Sequence, residues 1–388
     1  MTANRIHVIG AGVAGLAAAL QLSMMGQRVT LYEAAPFAGG RCRSYFDNEL
    51  GCRLDNGNHL VLSGNVAIQD FLFLSNALDT VTGPGEPVFP FMDLKSGKRW
   101  LTHMNQGHMP WWIFDENRRV RDTRPRDYLS ALSILTAGKN DTVAARLNTR
   151  SILYHRFWEP LTIAALNTEP NIASARLLAN IFKQTFAAGG RACWPVMPRI
   201  GLSESFILPC LNTLREQGVE IKFNHRLRVI HTADSKTGPR IREMHFSKHE
   251  VIELGVNDWV VLAVPAWIAR ELLPGLIVPD DFRSIINAHF KVESPHNPAG
   301  LVGLVGGMAE WVFAKEGVTS VTVSAGERYA GSAVRDMARM VWSDLARLYD
   351  LDPEKVPPHR IFKEKFATFS ATPQQEARRP LAYDFRWR

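Results

Sequence analysis

A glycine-rich turn near the N-terminus constrains the fold more than any other feature of this sequence. A β-prone run over 6–9 leads directly into G-x-G-x-x-G at 10–15, and an Ala- and Leu-rich stretch over 13–25 predicts a helix. A second β-prone run over 28–32 ends at the acidic Glu33. A strand, a tight glycine turn, a helix and a second strand with a terminal acid are typical of the βαβ unit that binds dinucleotides.

Each residue of the turn has a mechanical role in that unit. Gly10 permits the tight turn, Gly12 lets the backbone approach a pyrophosphate, and Gly15 lets the helix pack closely on the strand. The start of the helix, around Ala14, offers free N–H groups and a positive dipole to phosphates. Glu33 is placed to accept hydrogen bonds from ribose hydroxyls. A signal peptide or plain packing would also give an apolar stretch, but neither explains the second strand and its acid.

Length and composition set the class of protein. The 388 residues suit two intertwined domains, and 46% apolar with 21% charged residues are typical of a globular enzyme. The net charge of +7 permits contact with an anionic surface but does not predict nucleic-acid binding. Four cysteines without a CxxC pair argue against a disulfide scaffold or a zinc finger and favour the cytoplasm. No run of 18 apolar residues predicts a membrane span.

A second glycine motif, Gly39-Gly40-Arg41, follows the βαβ unit. Its backbone and its guanidinium fork would make a second phosphate contact, although an ordinary loop with a solvated Arg is the alternative. Together with G-x-G-x-x-G and Glu33, this motif resembles the FAD-dependent amine-oxidase and phytoene-desaturase superfamily. The resemblance implies an α/β fold, in which a doubly wound, Rossmann-like FAD-binding domain is intertwined with an α+β substrate domain. It also favours FAD over a nicotinamide cofactor.

Three later blocks narrow the resemblance. The sequence reads LDNGNH at 54–59, FWEPLTIAALN at 157–167 and WPVMPRIGL at 194–202. These blocks resemble the squalene-associated FAD-dependent enzymes, the hydroxysqualene dehydroxylases of squalene and hopanoid synthesis. The resemblance implies an isoprenoid substrate, reductive removal of its hydroxyl and an unidentified electron donor. Family members usually have Gln where this chain has Asn58, a departure that keeps the amide.

The same resemblance places candidate site residues. It brings the DNGNH block near the flavin ring, so Gly57 is a cofactor contact and Asp55 and His59 are the candidate proton donors. The alternative is that Asp55 caps a turn and His59 satisfies a buried hydrogen bond. The resemblance also gives the backbone of Leu227 a contact with adenine. The 157–167 block suits a helix that lines a hydrocarbon tunnel, or simple core.

Strand-like runs at 220–223 and 258–265 resemble later strands of the FAD domain and predict that this domain is discontinuous. We expect it at 1–85 and 200–275.

The substrate domain is then expected at 86–199 and 276–370. The segment 371–388 resembles a truncated lead-in to a final FAD strand with a Gly-Asp motif, which this sequence does not contain. That departure predicts weak flavin retention and marginal solubility.

Three features leave alternatives open. His245 and His249 are four apart in an alternating, hairpin-like segment, so no metal site is predicted. Aromatic residues at 109–114 precede five Arg between 118 and 126, which suits either peripheral contact with the cytoplasmic membrane or a solvated loop. Rival functions are a carotenoid-type desaturase or a flavin amine oxidase on the same fold, and an inactive truncated remnant.

Overall fold

The computed structural model describes residues 5–234, 240–295 and 300–380, apart from the side chain of Lys248. Its strands are β1 (Arg5–Ile9), β2 (Arg28–Tyr32), β3 (Ser44–Asp47), β4 (Cys52–Asp55), β5 (Val61–Leu62), β6 (Val81–Thr82), β7 (Val88–Asp93), β8 (Arg99–His103), β9 (Pro195–Pro198), β10 (Glu220–Lys222), β11 (Leu227–Ala233), β12 (Arg240–Phe246), β13 (Val251–Glu253), β14 (Trp259–Leu262), β15 (Phe282–Phe290), β16 (Leu301–Val305), β17 (Trp311–Lys315), β18 (Val318–Val323) and β19 (His359–Phe369). Its α-helices are α1 (Val13–Met24), α2 (Val66–Leu74), α3 (Ser130–Leu135), α4 (Val143–Arg146), α5 (Glu159–Leu166), α6 (Ala175–Gln184), α7 (Leu208–Glu216), α8 (Ala266–Leu272), α9 (Val334–Tyr349) and α10 (Pro373–Ala377). Short 3-10 turns lie at Leu78–Thr80, Trp111–Phe114, Pro125–Leu129, Phe186–Ala188, Gly190–Cys193, Ser247–His249 and Gly326–Tyr329, and π turns lie at Tyr154–Trp158 and Ser203–Ile207.

A parallel four-stranded sheet of order β10-β2-β1-β14 forms the nucleotide-binding layer. Its central strands are short runs of β-branched and aromatic residues, and four of the five residues of β1 are buried. The crossover from β1 to β2 is α1, so the predicted βαβ unit is present. The strands predicted at 220–223 and 258–265 are β10 and β14, which lie at the two edges of this sheet.

The helix α1 packs on this sheet because its apolar face is nearly continuous. Leu16 and Leu20 are fully buried, and Cys210 and Leu214 of α7 belong to the same core cluster. The helix ends where Gly26 adopts a φ of +74°, a left-handed conformation that glycine reaches at no steric cost.

A seven-stranded sheet of order β19-β15-β18-β17-β16-β7-β8 forms the second large layer. Neighbouring strands are antiparallel except for the parallel pair β16 and β7. Alternate residues point to opposite faces of a sheet. On one face Ile286, Ala288 and Phe290 pack against the amphipathic helix α9 in a continuous core. The other face carries Ile285 and Asn287, which line a cavity.

Each of the two large sheets contains strands from early and from late parts of the sequence, so the two sheets alternate along the chain. β7 and β8 join β15–β19 in one sheet, whereas β10 and β14 return to the sheet of β1. The boundaries near 85, 199 and 275 stay predictions. Of the segment 371–388, the structure describes α10 and the residues up to 380, and 381–388 lie outside the described residues.

Candidate active site

The glycine turn between β1 and α1 has the geometry that close packing requires at two of its three glycines. Gly10 has a φ of +104°, and a Cβ there would lie 2.5 Å from the Ala263 carbonyl oxygen. A Cβ on Gly15 would lie 1.8 Å from the Gly10 carbonyl oxygen. A Cβ on Gly12 would meet no atom within 4 Å. Gly12 therefore faces open space, which is where a pyrophosphate would approach the turn.

Glu33 follows β2 and is fixed by the backbone around it. Its two carboxylate oxygens accept hydrogen bonds from the N–H groups of Ala11 and Ala35, each 2.8 Å long. Leu227, at the start of β11, lines the same cleft as Glu33. The carboxylate is thereby held at the end of the cleft where a ribose and its adenine would lie.

The Gly39-Gly40-Arg41 loop lies directly on the glycine turn. The Gly39 N–H donates to the Ala11 carbonyl over 2.8 Å, and Gly12 and Gly39 form an isolated parallel bridge. The guanidinium of Arg41 donates to the carbonyl oxygens of Phe366 and Ala367 in β19. This loop therefore joins the nucleotide-binding layer to the edge of the seven-stranded sheet.

These elements enclose a cleft of about 850 Å³, called here the dinucleotide cleft. It is lined by the residues predicted to hold the cofactor, namely Gly10, Gly12, Ala14, Glu33, Gly39, Gly40, Arg41 and Leu227. Gly15 lies beneath the turn, and Gly57 lines the neighbouring cavity. The helix α1 has no side-chain cap at Gly12, so its first N–H groups are available to phosphate. The described residues thus fit FAD.

A second cavity, of about 520 Å³, adjoins the dinucleotide cleft and is called here the apolar cavity. Its walls come from β7, β17, α5 and the turn after α6, and include Phe89, Phe91, Phe157, Leu161, Phe186, Trp311 and Phe313. The 157–167 block contributes Phe157, Pro160, Leu161, Ala164 and Ala165, so it lines a cavity as the tunnel interpretation expects. The two spaces share Arg41, His59 and Glu364.

A row of polar side chains crosses the floor of the apolar cavity. The Asn58 side-chain amide donates to the Thr322 hydroxyl over 3.3 Å, and that hydroxyl donates to the side-chain Oδ1 of Asn287 over 3.2 Å. The Asn287 amide donates in turn to the Asn56 carbonyl oxygen over 3.2 Å. This row, called here the polar seam, could hold one hydroxyl of an otherwise apolar ligand.

His59 lies at the meeting point of three spaces. It lines the dinucleotide cleft, the apolar cavity and a third space of about 390 Å³, called here the polar cavity. Its ring is open to these cavities although protein surrounds them. Desolvation by the protein around these cavities lowers the pKa of His59 below its ordinary value of 6.5, the Asp55 carboxylate opposes that shift, and Arg41 adds to it. The imidazolium is therefore a stronger acid than a solvated histidine.

Asp55 has a different environment, at the end of β4. Its side chain is nearly buried, and its Oδ1 accepts from the Ser44 hydroxyl over 2.6 Å and from the Leu202 N–H over 2.9 Å. Its Oδ2 accepts from the Lys315 ammonium over 2.6 Å. Three donors thus hold the carboxylate, which also lines the polar cavity. This geometry favours a positioning role for Asp55 and leaves His59 as the candidate proton donor.

Sequence reasoning missed the residues that β15, β17, β18 and β19 bring to the site. Asn287, Lys315, Thr322 and Glu364 lie more than two hundred residues from the DNGNH block. Asn287 stands between the apolar Ile286 and Ala288 in β15, and that was the available signal. The sheet register that joins it to Thr322 could not be read from one sequence.

Replacing Glu33 by Gln is expected to weaken FAD binding by about tenfold or more. A hydrogen bond to a charged group contributes about 1.5–3 kcal/mol, and the amide also loses acceptor capacity toward the Ala11 and Ala35 N–H groups. Titration of apoprotein with FAD, followed by flavin fluorescence, measures the change. Glu49→Gln is the matched control, because Glu49 is exposed and lies outside the cleft. An unchanged affinity in Glu33→Gln would contradict the assignment.

The described residues also include one group of potential metal ligands, and their helices can be compared with the length of a membrane span. In the described part of the chain, one group of potential metal ligands comes together, formed by His231, Glu243 and His245, whose ligand atoms lie within 4.8 Å of one another. These residues face one side of the β11–β12 ladder, outside the three cavities. None of the helices within the described ranges is both long and apolar enough to span a bilayer.

Comparison with known proteins places this geometry in a family. The sequence model of the family described as "Flavin containing amine oxidoreductase" matches residues 13–384. Hydroxysqualene dehydroxylase from Sinorhizobium fredii is 40% identical over 377 residues, which are 97% of this chain and 89% of that protein. Zeta-carotene desaturase from a Synechocystis strain is 24% identical over 72% of this chain and 60% of that protein.

Solved structures agree on the fold. The wild-type putrescine oxidase bound to putrescine has a TM-score of 0.64 and 15% identity, and the alignment covers 96% of this chain and 89% of that one. The predicted α/β fold, the FAD cofactor and the family resemblance are confirmed by these matches. The chain therefore belongs to the flavin-containing amine oxidoreductase family, among the relatives of the hydroxysqualene dehydroxylases, and is an FAD-dependent oxidoreductase.

Proposed function

We propose that this chain removes the hydroxyl group of hydroxysqualene reductively and gives squalene. The names of three relatives that are 37–40% identical over 97% of this chain support the substrate. The observation that carries the proposal is the apolar cavity, which meets the dinucleotide cleft at His59. A long hydrocarbon with one hydroxyl needs an apolar space with few polar groups, and the polar seam is the group of hydrogen-bonding side chains on its floor.

The reaction balances as the cleavage of one C–O bond. The carbon gains a hydride, and the oxygen leaves with its electron pair and gains a proton, so the products are squalene and water. Bound FAD, once reduced by the unidentified electron donor, supplies the hydride. The aromatic walls of the apolar cavity exclude water from the carbon that gains positive charge as the oxygen leaves.

Residues of the chain bind the hydroxyl, protonate it and hold the cofactor. The polar seam at Asn58 and Thr322 binds the hydroxyl next to His59, which then protonates it. Asp55 opposes the fall in the pKa of His59 and holds the strand end that precedes it. Gly10, Gly12, Ala14, Gly15, Glu33, Gly39, Gly40, Arg41, Gly57 and Leu227 are proposed as the cofactor-binding residues.

Single-turnover chemistry tests the proposal directly. Protein reconstituted with FAD, reduced with dithionite without oxygen and mixed with hydroxysqualene should yield squalene, detected by gas chromatography and mass spectrometry. Dithionite supplies only electrons and the transferable hydrogen of reduced flavin comes from solvent, so the same reaction in D2O should leave one deuterium on the carbon that lost the hydroxyl. Absence of squalene from a fully flavinated, reducible protein would refute the proposal.

A cavity-filling pair of variants makes the assay specific. Ala165→Trp places an indole in the apolar cavity, so we expect FAD binding to persist and squalene formation to stop. Ala145→Trp is the matched control, because Ala145 is exposed on α4 and lines none of the three cavities. Equal turnover of the two variants would exclude the apolar cavity as the substrate site.

The similarity to zeta-carotene desaturase supports one rival activity. A desaturase removes two hydrogens and passes electrons to an acceptor, whereas the proposed reaction consumes reductant and releases oxygen as water. Oxidised protein should therefore leave phytoene and squalene unchanged in the presence of a quinone. A dehydrogenated product in that incubation would favour the desaturase.

We also propose that the chain makes peripheral contact with an anionic phospholipid surface. The 109–132 region exposes a group of large apolar side chains, called here the aromatic ridge and formed by Met109, Trp111, Phe114, Leu129 and Leu132, each at least 60% exposed. The buried Trp112 packs edge-on against Tyr128 at 5.3 Å and so joins the two 3-10 turns that carry Trp111, Phe114 and Leu129. Arg121, Arg124 and Arg126 are exposed on the same segment, which complements lipid phosphate.

Replacing Trp111 and Phe114 together by Ser should weaken binding to vesicles by at least about tenfold, because burying each ring contributes about 1.5–3 kcal/mol. Sedimentation with vesicles of phosphatidylcholine and phosphatidylglycerol, compared with phosphatidylcholine alone, measures the effect and its dependence on lipid charge. Phe73→Ser, at an exposed position of α2, is the matched control. If wild-type protein stays in the supernatant with both vesicle types, the ridge has another role.

A further inference from the structure

A single acidic side chain lies where the two large spaces of the site meet. Arg41, His59 and Glu364 line both the dinucleotide cleft and the apolar cavity. Among the described residues that line the apolar cavity, Glu364 is the one carboxylate. Glu364 is half-buried, and a carboxylate that faces a largely apolar cavity is a candidate functional group.

The sheet register explains how Glu364 reaches this place. Glu364 of β19 pairs with Ile285 of β15, and Ile285 lines the apolar cavity. The neighbouring pair, Lys363 with Ile286, belongs to the opposite face, where Ile286 is in the core. The hydrogen bonds from Arg41 to the carbonyls of β19 hold this edge strand against the dinucleotide cleft.

The charge of Glu364 is not neutralised within the described part of the chain. No Lys, Arg or His nitrogen lies within 4.0 Å of its carboxylate there, and the guanidinium of Arg41 donates to the backbone carbonyls of Phe366 and Ala367. Since the surrounding walls are aromatic and aliphatic, a charge at this point acts over a longer distance than it would in water.

We propose that Glu364 is a catalytic residue that stabilises the positive charge developing on the substrate carbon. The inference rests on the proposed dehydroxylation, in which an allylic C–O bond breaks, the oxygen leaves as water after protonation, and the carbon gains a hydride from reduced FAD. The carboxylate forms no bond and is not consumed. It lowers the barrier because its field is already in place when the charge appears.

Ligand binding tests the role without turnover. The probe is a squalene analogue that carries a protonated tertiary amine at the carbinol position, and neutral squalene is the reference ligand. Glu364→Gln should weaken binding of the amine by about tenfold and leave the affinity for squalene unchanged. Glu364→Asp keeps the charge and should retain most of the preference for the amine. Glu293→Gln makes the same chemical change at an exposed position and should match the wild type.

Kinetics and cofactor binding complete the experiment. Single-turnover formation of squalene should fall by about 100-fold in Glu364→Gln when both proteins are compared fully loaded with FAD. Equal affinity of the wild type and Glu364→Gln for the amine would overturn the role of Glu364 and leave the proposed function intact. A wild-type protein that binds neither squalene nor the amine would overturn the function and, with it, the role of Glu364.

Discussion

Asp55→Asn is expected to lower the free energy of unfolding by about 3 kcal/mol. Removing one partner of a buried ion pair costs about 3–5 kcal/mol, because the remaining charge is left without compensation. Asp55 is 6% exposed, whereas the side chain of Lys315 is 30% exposed, so water offsets part of the cost and the lower end of the range applies. The amide also cannot accept from Lys315, Ser44 and the Leu202 backbone as the carboxylate does.

Urea denaturation of the FAD-free protein, followed by far-UV circular dichroism, measures this effect without a contribution from bound cofactor. Lys315→Met is the informative partner, because a double-mutant cycle isolates the pair from the two neutral hydrogen bonds. We expect the double variant to lose less free energy of unfolding than the two single variants lose when their losses are added. A fully stable Asp55→Asn variant that has lost only its turnover would reverse the assignment and make Asp55 the proton donor.

Asp55 and His59 show which properties of the site could be predicted from the sequence: their location near the flavin, but not their separate roles. One short block placed both residues near the flavin, and the structure has both at the walls of the cavities. Their roles separate because Asp55 ends β4 and meets donors from the neighbouring strand and from two distant segments, whereas His59 lies in the following loop. A single sequence carries no information about which distant donors will surround a carboxylate.

The nucleotide-binding half of the site could be predicted from the sequence for a physical reason. Its G-x-G-x-x-G turn, helix and acid follow one another along 29 residues of chain, from Arg5 to Glu33, so local sterics determine their arrangement. The apolar cavity is different, since its floor is one face of a sheet that pairs β7 with strands more than two hundred residues away. The polar seam and Glu364 depend on that register. Composition predicted an apolar wall from the 157–167 block but could not say which polar groups would face it.

His59→Gln should reduce the single-turnover rate of squalene formation by about 100-fold or more and leave FAD bound. Positioned proton transfer contributes about 10²–10⁴-fold to a rate, and glutamine fills similar space without a titratable proton. His59 also lines the polar cavity, together with Asp55, Lys315 and Glu316. We expect solvent protons to reach His59 through this cavity.

The pH dependence identifies His59 by its direction. Burial lowers its pKa below 6.5, so the protonated fraction is complete only below that lowered pKa and is lost as the pH rises through it. We therefore expect kcat/KM to fall with increasing pH, with a midpoint below 6.5, and we expect His59→Gln to lack this limb. Asp55→Asn removes a charge that opposes the shift, so its midpoint should move to still lower pH. A midpoint above 6.5 in the wild type, or an unchanged profile in His59→Gln, would assign proton delivery to another group.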